Sequence, residues 1–278
     1  MNLTLGGRAV FVHTGGVELD QRVHPAPPRR YVVLLHGAAM DHSVFRFQTR
    51  WLAHRGFTAL APDLPGHGRS AGEPSASIEE YAGWTLSLLD ALGVDRAILI
   101  GHSMGSFVAL AVAGKAPVRV DKLVLIGAAD RMLVHPALAE AAAHDDHLAF
   151  ELMTSWFFGI TGQLGGHSQP GTWQPGGSRQ LLERSRPGVL AVDLKACASY
   201  DPLGPSRRPD LTGREPGALH RPPVLLVTGE ADRMTPPEAA RHLADGLGGV
   251  LRLIPGAGHI AMFEKPALVN SELTEFLG

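Results

Sequence analysis

The sequence predicts an α/β fold with a mostly parallel, eight-stranded sheet covered by helices on both faces. Six short apolar runs have the length and composition of buried strands, and helical patterns lie between them. Strands that alternate with helices in this way build parallel sheets. With 278 residues, of which 45% are hydrophobic and 19% charged, the chain is long enough for one large core and an insertion.

The eight strands comprise an N-terminal hairpin and the six apolar runs. The hairpin is predicted from the alternating segments 3–13 and 17–23, joined around Gly15 and Gly16. The buried strands are expected at 31–36, 57–62, 97–101, 122–127, 223–229 and 250–254. The core helices are expected near 43–55, 77–92, 103–114, 236–246 and 267–277.

A long segment, 130–221, interrupts the alternation between two strands that are expected to be neighbours. The core domain is therefore predicted to be discontinuous, with residues 1–129 and 222–278 forming it and residues 130–221 forming an insertion. Such an insertion begins at the carboxyl edge of the sheet. The helical patterns inside it fall at 138–158, 178–183 and 189–198, around a stretch rich in Gly, Pro and Ser at 159–178.

A serine stands at the centre of Gly101–Gly105 (GHSMG), between a predicted buried strand and a small-residue helix. This is the G-x-S-x-G pattern in a strand–turn–helix context, which exposes a serine hydroxyl on a sharp turn above a helix N-terminus. The two glycines are predicted to be steric requirements, because a side chain at either position would collide with the neighbouring strand or helix. Ser103 is therefore the candidate nucleophile.

A serine nucleophile needs a base and a carboxylate that orients the base. Asp232 and His259 each follow a predicted strand by a few residues, on loops. Because parallel strands end at one edge of a sheet, we expect Ser103, Asp232 and His259 to meet there as nucleophile, acid and base. Asp130, which follows an earlier strand, remains the alternative acid.

The negative oxygen that develops during acyl transfer needs two N–H donors. We expect one donor to be the backbone of Met104, which follows the nucleophile at the start of a helix. The other is expected from the loop after the strand at 31–36. Ala38 is the candidate there, with Ala39 and Met40 as its neighbours.

Five segments together resemble the α/β-hydrolase superfamily, in the branch with a separate lid. These segments are His36-Gly37, Ala61–Ser70 (APDLPGHGRS), Gly101–Gly105, Gly229–Asp232 and Gly258-His259. They follow the family's order and usual separations, and the resemblance covers nearly the whole chain except roughly 130–221. It implies that this segment is a helical lid over Ser103.

The resemblance implies a serine esterase, a carboxylesterase that cleaves esters or lactones of small to medium, largely apolar substrates through an acyl-enzyme. Serine at position 103 argues against the dehalogenases and epoxide hydrolases of the same fold, which need a carboxylate there. A C–C bond hydrolase of ring-fission products uses the same three residues and stays open, as do an amidase and a peroxide-using perhydrolase. From another class, a ligand-binding protein on a hydrolase scaffold is the alternative.

Four apolar side chains of the insertion are candidates for substrate contact. They are Met132, Trp156, Phe157 and Phe158. Packing of the lid onto the core is the expected reading for any single one of them, and we expect some of the four to face the substrate.

Other polar residues are expected to support the structure. His102 is expected beneath the nucleophile turn, His36 beside the oxyanion loop, and Cys197 as a small buried hydrophobe. The run His144–His147 (HDDH) has the i, i+3 spacing of metal ligands on a helix, but a solvated helix face is the expected reading. Neither a metal nor a cofactor is implied.

Composition limits the partners and the compartment. A net charge of −2 favours neither nucleic acid nor an anionic membrane. The single cysteine excludes an internal disulfide, and the sequence has neither an apolar run long enough to span a membrane nor a secretory signal at its start. We expect a cytoplasmic enzyme whose partner is a small molecule.

Overall fold

The computed structural model describes residues 1–16, 30–165, 173–204 and 221–278. Its strands are β1 (Asn2–Leu5), β2 (Arg8–His13), β3 (Arg30–Leu35), β4 (Phe57–Pro62), β5 (Ala97–His102), β6 (Val120–Ile126), β7 (Val224–Gly229) and β8 (Val250–Ile254). They form an eight-stranded sheet in the order β1-β2-β4-β3-β5-β6-β7-β8. Strands β3 to β8 are parallel, and β1 and β2 are antiparallel at one edge. The predicted α/β fold is confirmed.

The described helices cover the sheet and form the insertion. They are α1 (Arg46–Ala53), α2 (Ile78–Ala91), α3 (Met104–Lys115), α4 (Pro136–Ala143), α5 (Leu148–Phe157), α6 (Ile160–Gln163), α7 (Gln174–Glu183), α8 (Val189–Ser199), α9 (Pro237–Leu247), α10 (Ala261–Glu264) and α11 (Pro266–Leu277). All five predicted core helices are present within a few residues. Among the described residues, none of these helices has the length and apolar character needed to cross a bilayer.

The central strands are buried along their whole length. In β4, β5 and β7 every residue is buried, as expected for parallel strands with helices on both faces. Helix α3 directly follows β5 and is buried almost all round, because its small residues allow close packing against the sheet and α2. Burial on both sides therefore fixes the β5–α3 junction, where Ser103 lies.

The N-terminal hairpin lies within the first of the two predicted arms. Strands β1 and β2 pair around Gly6 and Gly7, whose φ angles of 55° and 76° suit a tight two-residue turn. Gly15 and Gly16 do form a turn, with φ angles of 65° and 91°, and a Cβ at Gly15 would lie 2.6 Å from the backbone oxygen of Thr49 in α1. The first predicted arm, 3–13, is not a single strand, because the chain reverses within it, and the second arm, 17–23, lies outside the described residues.

The insertion is helical, but its first helical pattern is broken. Helices α4 to α8 lie between β6 and β7, which are neighbours in the sheet. The helical pattern over 138–158 forms two helices, because α4 ends at Ala143 and Asp145 takes a positive φ of 53°. Aspartate tolerates this left-handed conformation better than most residues, and it redirects the chain before α5.

Candidate active site

Ser103 lies on a strained turn between β5 and α3. Its φ of 53° and ψ of −119° fall in a region that residues other than glycine rarely adopt. A Cβ at Gly101 would lie 2.2 Å from the carbonyl oxygen of Gly105, and a Cβ at Gly105 would lie 2.0 Å from that of Leu35. The predicted steric role of both glycines is confirmed, because a side chain at either position would overlap a backbone carbonyl oxygen.

Gly105→Ala is expected to lower the free energy of unfolding by about 3 kcal/mol or more, because β3 or α3 must shift to admit the methyl group. Gly83→Ala in α2 is the matched control, since its Cβ would meet nothing closer than Lys115 Nζ at 3.6 Å. The control is expected to stabilise the protein by up to about 1 kcal/mol. Urea unfolding followed by circular dichroism compares the two variants. A wild-type midpoint for Gly105→Ala would contradict the steric explanation.

His259 and Asp232 are in direct contact. His259 Nδ1 lies 2.9 Å from Asp232 Oδ2, and both side chains are buried. The other carboxylate oxygen, Oδ1, accepts the backbone N–H groups of Met234 at 2.8 Å and Thr235 at 2.9 Å. Burial opposes ionisation of Asp232, but the His259 ring and these hydrogen bonds outweigh it, so the pKa of this carboxyl lies below its usual value.

This contact determines which nitrogen of His259 is available. A carboxylate only accepts hydrogen bonds, so His259 Nδ1 carries the proton and donates it to Asp232. In the neutral ring, the Nε2 atom then carries the lone pair that a general base requires. Ser103 and His259 both line the same cavity, of about 590 Å³.

The alternative acid, Asp130, has other partners. Its Oδ2 lies 3.8 Å from His242 Nδ1, and its side chain is 32% exposed. Its backbone N–H donates to Ala239 O at 3.3 Å. The geometry thus favours Asp232 over Asp130 as the partner of His259.

The Ala38 N–H group lies unused in the loop after β3. Ala39 N–H donates to Asp193 Oδ2 at 2.9 Å, and Met40 N–H donates to Gly37 O at 3.2 Å. Within the described residues, the backbone N–H groups of Ala38 and Met104 donate to no protein acceptor, and Ala38 lines the cavity. These two groups have the properties expected of oxyanion donors.

The cavity wall is mostly apolar and comes largely from the insertion. Three of the four predicted substrate contacts, Met132, Trp156 and Phe157, line it. The Phe157 ring also stacks on the His259 ring, with centroids 6.0 Å apart. Phe158 is absent from the cavity wall and packs in the core, so its prediction as a substrate contact is corrected.

Two predicted supporting histidines lie beneath the site. His102 Nε2 donates to the backbone oxygen of His259 at 3.2 Å. Burial, and then the His259 ring, hold the pKa of His102 well below its usual value, so the ring is neutral. His36 Nδ1 donates to Gly37 O at 2.9 Å and thereby braces the loop that carries Ala38.

The sequence analysis missed three residues that hold the site together. Thr235 Oγ1 donates to Asp232 Oδ2 at 2.7 Å, and Glu264 Oε2 accepts the Gly258 N–H at 2.7 Å, beside His259. Asp193, on α8, accepts the Ala39 N–H. Thr235 could have been found from its position three residues after the candidate acid. No local signal marks Glu264 or Asp193, and Asp193 acts across 154 positions in the chain.

Two clusters have the composition of metal sites. The run His144–His147 lies at the break between α4 and α5, where His147 Nε2 lies 2.7 Å from Glu183 Oε1. In the described residues, ligand atoms of Asp41, His42 and Asp63 lie within 4.8 Å of one another. Asp63 Oδ1 already accepts from His42, and Arg184 donates to Asp41 Oδ2 at 2.9 Å. These contacts suit a hydrogen-bonded loop better than a metal site, because the Arg184 guanidinium is bonded to the Asp41 oxygen that would otherwise bind the metal.

Known proteins resemble the chain over its full length. An epoxide hydrolase from Caballeronia sordidicola is 26% identical and covers 99% of this chain and 95% of its own. The enol-lactonase structure from Burkholderia xenovorans LB400 superimposes with a TM-score of 0.82 at 22% identity, covering 100% of this chain and 99% of that one. The structure of a thermophilic esterase gives a TM-score of 0.77 at 25% identity, covering 100% and 96%. The family described as the alpha/beta hydrolase fold matches residues 30–266, and the chain therefore belongs to that family.

Proposed function

We propose that the chain is a serine hydrolase that cleaves carboxylic esters, lactones included, through an acyl-enzyme on Ser103. The observation that carries this proposal is the shared cavity of Ser103 and His259, with Asp232 at 2.9 Å behind the His259 ring. The fold alone hosts many chemistries, so the reaction class is argued from these residues. A serine rather than an aspartate in the turn favours acyl transfer over epoxide opening.

Each group has a defined part in the reaction. His259 Nε2 takes the Ser103 proton as Oγ attacks the carbonyl carbon, and the Ala38 and Met104 N–H groups stabilise the resulting oxyanion. The tetrahedral intermediate collapses, the C–O bond to the leaving group breaks, and His259 returns the proton to the departing oxygen. Water then gives a proton to His259 and attacks the acyl-enzyme, and His259 passes that proton to Ser103 Oγ as the C–O bond to Ser103 breaks and the acid leaves.

The cavity indicates the size and polarity of the substrate. Its apolar lining includes Met132, Leu138, Met153, Trp156, Phe157 and Leu194, around a volume of about 590 Å³. All six come from segment 130–221, which supports a lid role for this segment above Ser103. The proposed substrates are therefore esters with a small to medium, largely apolar acyl or alcohol part.

Hydrolysis of para-nitrophenyl esters from acetate to decanoate tests the proposal. We expect steady turnover with an optimum at short or medium chain length, because a cavity of about 590 Å³ limits the length of the acyl chain that it can hold. Labelling by a fluorophosphonate probe, followed by peptide mass spectrometry, should place the modification on Ser103. A folded protein that neither hydrolyses these esters nor reacts with the probe would contradict the proposal and favour the ligand-binding alternative.

A further inference from the structure

A carboxylate from the insertion is buried against the loop that carries Ala38. Asp193 lies in α8 and has no exposed surface. Its Oδ2 accepts the Ala39 N–H at 2.9 Å and faces His67 Nε2 at 2.8 Å, and its Oδ1 accepts the Tyr81 hydroxyl at 2.8 Å. Three donors from three different segments converge on this one side chain, so Asp193 joins α8 to the core.

The hydrogen bonds of His67 define its charge. His67 Nε2 faces the Asp193 carboxylate, and His67 Nδ1 lies 2.9 Å from Pro65 O. Both neighbours only accept hydrogen bonds, so both ring nitrogens carry protons and the ring is an imidazolium. Burial opposes this charge, but Asp193 outweighs it and raises the pKa of His67. His67 and Asp193 thus form a buried ion pair, in which loss of either partner leaves an uncompensated charge.

The neighbouring histidine is neutral. Leu64 N–H donates to His36 Nε2 at 3.0 Å, so the proton of His36 lies on Nδ1 and is donated to Gly37 O. Burial, and then the charge on His67, lower the pKa of His36 to about 4. The loop 37–40 is therefore held at Gly37 by His36 and at Ala39 by Asp193.

This loop needs such restraints because its backbone is strained. Ala39 has a φ of 56°, in the left-handed region that alanine rarely adopts. The Ala39 N–H points at Asp193, and the adjacent Ala38 N–H is the free donor beside the cavity. Without the Asp193 acceptor, relaxation of Ala39 would turn the peptide units on both sides of it and move the Ala38 donor.

We propose that Asp193 is a positioning residue for the oxyanion hole. By accepting the Ala39 N–H, it lets the packing of helix α8 set the direction of the adjacent Ala38 N–H. The inference rests on the proposed function, because it assigns a role in the same acyl-transfer reaction. It predicts a defect in kcat, since the oxyanion exists only in the transition state and the intermediate. A purely structural role predicts normal kcat for every variant that folds.

The test compares Asp193→Ala, Asp193→Asn and Tyr81→Phe in para-nitrophenyl ester hydrolysis, at a temperature where each is folded by circular dichroism. Asp193→Ala is expected to lower kcat by about 10²–10³-fold, with KM changed by less than about threefold. Asp193→Asn should recover at least about tenfold of that loss, because the amide oxygen can still accept the Ala39 N–H. Tyr81→Phe removes a donor from the other oxygen and should leave kcat within about threefold of wild type.

An inhibitor separates positioning from general damage. A trifluoromethyl ketone forms a hemiketal oxyanion on the nucleophilic serine, so its inhibition constant should rise in Asp193→Ala in parallel with the fall in kcat/KM. If Asp193→Ala does not fold, Asp193→Leu combined with His67→Leu replaces both charges with apolar groups, a change that buried ion pairs often tolerate. The double variant should show the same loss of kcat.

The outcomes distinguish this inference from the proposed function. Wild-type kcat in folded Asp193→Ala, or in the double variant, would overturn the positioning role while leaving the esterase proposal intact. An equal loss of kcat in Tyr81→Phe would also overturn it, because general loosening would then explain the defect. Absence of Ser103-dependent turnover in the wild-type protein would instead overturn the proposed function itself.

Discussion

Ser103→Ala is expected to lower kcat for para-nitrophenyl esters by about 10⁶-fold, while thermal unfolding stays close to that of the wild type. The substitution removes the only atom that attacks the substrate in the proposed reaction. The backbone of the turn is retained, because the Ser103 N–H still donates to Ile126 O, at 2.9 Å in the wild type. Any residual rate would come from oxyanion stabilisation and substrate binding alone.

Ser106→Ala is the matched control for this variant. Ser106 lies one turn further along α3, and its hydroxyl donates to Gly101 O at 2.9 Å, so its removal should cost about 1 kcal/mol of stability. We expect Ser106→Ala to keep its esterase activity and its reaction with a fluorophosphonate, and Ser103→Ala to lose both. Substantial Ser103→Ala turnover in a preparation free of wild-type enzyme would refute Ser103 as the nucleophile.

Most of the regular structure could be predicted because burial leaves a clear pattern in the sequence. The strand Ala97–His102 is an apolar run that is buried throughout, and its boundaries agree with the prediction to within one residue. The N-terminal hairpin was misplaced because the alternating pattern continues across its turn. The turn at Gly6 and Gly7 lies inside the segment 3–13, which the alternation marks as a single arm.

In the candidate site too, residues within local patterns could be predicted and residues that act through long-range contacts could not. Ser103, Asp232 and His259 each follow a strand within a recognisable local pattern, so the sequence predicts their convergence. Asp193 contacts Ala39 across 154 positions in the chain, and nothing in the helix around it marks that acceptor. Phe158 shows the converse: the adjacent aromatic residues Trp156, Phe157 and Phe158 look equivalent in sequence, but Phe158 does not reach the cavity that the other two line.

Asp232→Asn is expected to lower kcat by about 10⁴-fold, because the hydrogen-bond pattern around this residue forces His259 into the wrong tautomer. The backbone N–H groups of Met234 and Thr235 both point at Oδ1, at 2.8 and 2.9 Å, and can only donate. The amide oxygen of an asparagine must therefore take that position, which turns its NH₂ group toward His259 Nδ1. Nδ1 then accepts a hydrogen bond, the ring proton moves to Nε2, and the base can no longer take the Ser103 proton.

Asp130→Asn provides the comparison that assigns the acid. Its carboxylate lies near His242, at 3.8 Å, so the substitution should leave kcat within about threefold of the wild type. Steady-state kinetics of both variants with the same ester, together with the proton resonances of His259, measure the rate and the tautomer independently. A large loss in Asp130→Asn with little loss in Asp232→Asn would move the acid to the end of β6. A large loss in Asp232→Asn with the Nδ1 proton still present would leave Asp232 as the acid but refute the tautomer mechanism.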